Sequence, residues 1–114
     1  MKVYFGFAVA DSMFPEECRI VKHQLTAEMV KVGIEKGAIP CLNPSHTATI
    51  EAMRERFGIE VVIPEKAPMV NLQYGDSVIV MSVRGLPRLE GRHEYTPEEI
   101  EKASFAFAEY TVEA

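Results

Sequence analysis

Three segments of this chain carry side chains whose types and spacing suit chemistry on a phosphate ester. In Asn43-Pro44-Ser45-His46-Thr47, a Pro-Ser turn runs into a helical pattern. A helix N-terminus offers unpaired backbone N–H groups and partial positive charge, so it holds phosphate readily. A histidine placed there can hand a proton to a departing oxygen. Position alone also fits a simpler role, in which His46 completes the apolar stripe of its helix or caps it. The second segment holds Arg84, Arg88 and Arg92 beside Gly85 and Gly91. It reads as an anion clamp, with Glu90 placed to orient one guanidinium. The third is Asp11-Ser12-Met13-Phe14-Pro15, a loop in which Ser12 is a turn former or a ligand contact. Lys66 adds a cation between Pro64 and Pro68.

Other chemistries find no support in the sequence. His23, His46, His93, Cys18 and Cys41 are scattered without metal-ligand spacing, so no metal is expected. His93 reads as exposed and His23 as structural. No glycine-rich phosphate loop of the nucleotide-binding type occurs, and no cofactor is implied. The formal net charge is −5, from 17 acidic and 12 basic side chains. That balance disfavours broad adhesion to DNA or an anionic membrane, where Lys and Arg must replace counterions. A small anionic ligand needs only a local basic cluster. Two free thiols, no charged leader and no bilayer-length apolar run give a cytoplasmic reading.

The elements that must hold these groups can be traced along the 114 residues, a length that fits one domain over 1–114. Val3 to Ala10 reads as a buried strand, and Cys18 to Leu25 as a second. Thr26 is an N-cap for a helix that buries Ala27, Val30 and Ile34 and ends at Gly37. Ala38 to Leu42, with Pro40, is a short or edge strand. Ser45 is the expected N-cap of the next helix, whose His46, Ile50, Met53 and Phe57 share a face before Gly58 closes it. Glu60 to Ile63 and Met69 to Gln73 are brief strand candidates. Ser77 to Val83 is the most apolar run and the expected central strand, followed by a loop over 84–95. Thr96-Pro97-Glu98-Glu99 opens a helix, and Phe105 to Val112 returns as a strand. The sum is a mixed α/β domain with about five strands and two or three packed helices.

Read with these motifs in place, the chain resembles the viral and CRISPR-associated ring nucleases that degrade cyclic tetra-adenylate, long grouped as a domain of unknown function from archaeal viruses. His46-Thr47-Ala48-Thr49-Ile50-Glu51 resembles that family's pattern of His, any residue, Ala or Ser, Thr, any residue, and a polar or acidic residue. Further matches are Phe57-Gly58, Gly75-Asp76, Arg88-Leu89-Glu90-Gly91, the Thr96, Glu98, Glu99 helix start and the aromatic last strand. Ser45 stands where the family usually has Gly, and the Lys66 loop lacks the family's Asn-Arg pair.

The resemblance implies a metal-independent phosphodiesterase that opens cyclic oligoadenylate to linear products ending in a 2′,3′-cyclic phosphate, switching off type III CRISPR signalling. It implies a homodimer in which two His46 groups meet one ring. His46, Arg88 and Glu90 would be catalytic, and Ser12, Ser45, Thr47, Arg84 and Lys66 would bind ligand. Arg84 fits the spacing from the histidine better and Arg88 the local motif better, so both stand as the phosphate contact. Two other classes of function fit the same sequence: a non-catalytic cyclic-nucleotide sponge, and a small interaction protein of a mobile element.

Overall fold

The computed structural model describes residues 1–84 and 96–114. Among them, one sheet is built from β1 (Val3–Gly6), β2 (Arg19–Leu25), β3 (Ile39–Pro40), β4 (Ser77–Arg84) and β5 (Ser104–Glu113) in the order β2-β5-β4-β1-β3. β1 pairs in parallel with both β3 and β4, whereas β5 runs antiparallel to β4 and β2. The helices are α1 (Ala27–Glu35), α2 (Thr47–Phe57) and α3 (Pro97–Lys102), with a 3₁₀ turn over Asp11–Met13. The fold is therefore the expected mixed α/β domain. Among the described residues no helix is long and apolar enough to cross a membrane.

Ser77 to Val83 takes the central place its apolarity calls for, since a strand covered on both faces can be apolar throughout. Ile79 and Met81 point to one face, where Phe5 and Phe107 join Val30 of α1 and Ile50 and Met53 of α2. Val78 and Val80 point to the other, beneath Val70 and Leu72. Both helix faces are those the periodicity gave, with Val30 and Met53 fully buried and Ala27, Ile34 and Phe57 partly so. Thr26 Oγ1 accepts the Met29 N–H at 3.2 Å, and Gly58 closes α2 in the left-handed conformation at φ 64°. Thr96 and Glu99 exchange the two bonds of a capping box ahead of α3.

Several expectations are corrected. Residues 60–63 and 69–73 are not strands. Both alternate as strands do, with Val61 and Ile63 or Val70 and Leu72 turned inward. Their backbones run over the body of the domain rather than beside a sheet edge, so no ladder forms; Leu72 N–H reaches only the Met13 carbonyl, at 2.7 Å. The first strand stops at Gly6, well short of Ala10: its ladder with β4 ends at Gly6 opposite Val80, and the chain goes on to the 3₁₀ turn at Asp11–Met13. Arg84 belongs to β4 and not to the loop after it.

One buried carboxylate ties the chain's start to the sheet. Asp76 accepts the Lys2 N–H at 2.8 Å and the Gln73 N–H at 3.0 Å, while its own carbonyl takes the Val112 N–H. These backbone donors hold the carboxyl below the usual aspartate range. Gly75, at φ 94°, supplies the tight turn before it.

Candidate active site

β1, β3 and β4 run the same way, so the segments that leave their C-terminal ends converge on one edge of the sheet. In open α/β sheets this edge is where ligands bind, at the point where the chain turns to opposite sides. Here β1 lies between β3 and β4, and the chain after β3 leads straight to His46.

Ser45 does not cap α2. Asn43 Oδ1 accepts both the Ser45 N–H, at 3.0 Å, and the Ser45 hydroxyl, at 2.8 Å, and Asn43 O accepts the His46 N–H at 3.2 Å. This Asx turn uses up the serine and moves the helix start on by one residue, so His46 becomes the N-cap. Its carbonyl accepts the first helical bond, from Ile50 N–H at 3.0 Å, while its side chain makes no capping bond. The imidazole is left without a role in capping its own helix.

The half-buried ring of His46 lies nearly parallel to that of Phe7, with a 20° interplanar angle and centroids 6.3 Å apart. Phe7 in turn meets buried Phe5 edge-on at 6.4 Å. A cleft of about 220 Å³ opens beside the two rings, lined also by Ala8, Met13, Cys41, Asn43, Ala67, Pro68 and Val70. Cys41 donates its S–H to the Phe5 carbonyl, and burial pushes its thiol up from the usual range. Gly6 is required behind it, because a Cβ there would come within 2.8 Å of Cys41 Sγ.

The structure gathers some of the residues expected at the site and separates others. Ser45 and Thr47 flank His46 and are exposed. Lys66 is exposed, immediately before Ala67 of the cleft wall. Ser12 lies on the 3₁₀ turn, exposed, whereas its neighbour Met13 lines the cleft. Arg84 is elsewhere: it lines a second hollow, of about 230 Å³, with Lys22, Gln24, Ser82 and Tyr110. Arg88 and Glu90, with Arg92 and His93, lie outside the described residues. Among the described residues no group of three His, Cys, Asp or Glu side chains could hold a metal ion. A larger groove, about 440 Å³, runs between α1 and the opposite edge of the sheet, past Lys2, Met29 and Glu109.

Sequence reasoning missed Phe7 and Asn43. Phe7 sits in an apolar run that reads as core. Asn43 two residues ahead of a serine is an Asx-turn signal, and it could have moved the expected cap from Ser45 to His46.

No protein-family model matches the chain, and no curated protein sequence matches it. Among solved structures it is similar to B116 of Sulfolobus turreted icosahedral virus. The TM-score is 0.68 at 20% identity, over 97% of this chain and 99% of that one. At this identity the likeness is one of fold, and it extends along essentially the whole of both chains.

Proposed function

We propose that this protein is a metal-independent ring nuclease that opens a cyclic oligoadenylate, most simply cyclic tetra-adenylate, with His46 as general acid. The observation that carries the reading is the imidazole itself: half-buried, unused by its own helix, and facing a cleft at the C-terminal edge of parallel strands. The resemblance around His46 to Glu51 names the substrate class. The fold it shares with a virus protein fits a viral or mobile-element setting.

In the reaction a ribose 2′-oxygen bonds to the adjacent phosphorus as the bond to the 5′-oxygen breaks. The 2′-hydroxyl proton leaves to solvent, and His46 protonates the departing 5′-oxygen. The product is a linear strand with a 2′,3′-cyclic phosphate. Arg88 neutralises the phosphoryl oxygens and Glu90 orients it, a choice favoured over Arg84 because Arg84 lines a separate hollow. Ser12 and Lys66 locate the ribose and phosphate, since the Ser45 and His46 N–H groups are already taken by Asn43. Positioning and electrostatics supply the larger share of the rate, and the acid adds roughly a hundred- to ten-thousandfold. A homodimer lets one ring meet two such sites across a two-fold axis.

Sequestration without cleavage is the second reading. It is favoured by the lack of any Lys or Arg among the described residues lining the cleft. The deciding experiment incubates wild type and His46→Ala with cyclic tri-, tetra- and hexa-adenylate in excess chelator and separates the products. Expected are linear fragments from the wild type and a loss of turnover of at least about a hundredfold in the variant, with affinity kept. Cleavage only after divalent metal is added, or full turnover by His46→Ala, overturns the mechanism. Tight binding without cutting establishes the sponge.

A further inference from the structure

The cleft beside His46 has a chemistry of its own. Among its described lining residues, Phe7, Met13, Cys41, Pro68 and Val70 are apolar or weakly polar, and His46 is the one side chain able to carry charge. A phosphate pushed wholly into such a space would lose its water against a mostly apolar wall, with a single imidazole to offset the loss. At about 220 Å³ it is also smaller than the roughly 300–1,000 Å³ of pockets that hold a whole small ligand. It holds a fragment.

We infer that this cleft seats one uncharged heteroaromatic ring of the ligand, a nucleobase, while the phosphate stays outside its apolar part. The inference takes its ligand class from the nuclease reading above and adds where the base goes. Phe7 presents a ring face beside that of His46, suited to stacking. Met13 is held in the opposite wall because its sulfur accepts the Ala10 N–H at 3.1 Å, and a thioether packs well against aromatic rings. Asn43 supplies polarity at the mouth. Only the oxygen end of a side-chain amide accepts, so the Ser45 N–H fixes which end of the Asn43 amide is Oδ1. The Nδ2 group, which has no partner among the described residues, is then the donor left for a ring nitrogen.

The test uses full-length protein labelled with ¹³C-methyl methionine, with the Met13 signal assigned through Met13→Leu. It is titrated with adenosine, which has a base and no phosphate, and with ribose 5-phosphate, which has the reverse. Adenosine should move the Met13 methyl by its ring current and leave Met29, in the α1 groove, where it was. Ribose 5-phosphate should leave Met13 unmoved. Asn43→Asp keeps the oxygen that Ser45 needs and removes the donor, so adenosine affinity should fall about tenfold, the scale of one net hydrogen bond. The idea is overturned by ribose 5-phosphate moving Met13 as adenosine does, by adenosine leaving it still, or by Asn43→Asp binding adenosine as wild type does. Turnover of cyclic tetra-adenylate with Met13 unmoved would remove the base seat and leave the nuclease standing. Adenosine filling the cleft of a protein that cuts no ring would keep the seat and remove the nuclease.

Discussion

At the scale of single residues, two side chains are set apart by what surrounds them. Asp76 is buried and takes two backbone N–H bonds, so its replacement strands the Lys2 and Gln73 donors. Asp76→Ala should cost about 1–3 kcal/mol in urea unfolding at neutral pH. The sign of the pH dependence follows from its lowered pKa. The carboxylate contributes stability above its unfolded value, about 3.9, and loses it as pH falls through the lower folded value. The gap in stability between wild type and Asp76→Ala should therefore close as the pH drops from about 4 downward; a constant gap down to full acid would refute the assignment. Cys41 is the opposite case. Its thiol is held protonated by burial and bonded to Phe5 O, so iodoacetamide should modify it more slowly at neutral pH than a free small thiol, as read by mass spectrometry.

At the scale of elements, helix α2 does most to place the site. Its start is fixed by the Asn43 turn and its end by Gly58 in the left-handed region. An alanine at position 58 would have to adopt φ 64°, where a Cβ is disfavoured. Gly58→Ala should lower stability by about 1 kcal/mol, or roughly 4 °C in Tm by calorimetry. Met53, fully buried between α2 and the sheet, is a harsher test of packing. Met53→Ala should cost about 2–5 kcal/mol, the usual range for emptying a core site. Arg56 links α2 onward: its guanidinium donates to the Glu101 and Ala103 carbonyls and lies over the Phe105 ring at 5.0 Å. That clamp holds α3 and the start of β5 against the helix that carries His46.

At the scale of the whole molecule, the cleft is small beside any cyclic oligonucleotide. On the proposed reading one copy seats one base, and a two-fold dimer would meet the ring on two sides. Light scattering should return a dimer at micromolar concentration, and a strict monomer that still cuts the ring would remove the shared-ring arrangement. The net charge of −5 sets a further expectation. Retention of duplex DNA at physiological salt should be weak, since few phosphate contacts are on offer.

The α/β class, the central strand at Ser77 to Val83, both helix faces and the glycine that ends α2 are legible in the residues alone, because local periodicity and turn chemistry act within a few residues. The sequence also marked His46 as the residue to watch. Which alternating segments pair is settled by the folded arrangement. Residues 60–63 and 69–73 have a strand's pattern and no edge to join, and pairing depends on what lies beside a segment. Likewise the meeting of Phe7, Met13, Asn43 and His46 around one cleft, and the placing of Arg84 outside it, follow from strand order. Strand order is a property of the whole sheet, and no stretch of neighbouring residues encodes it.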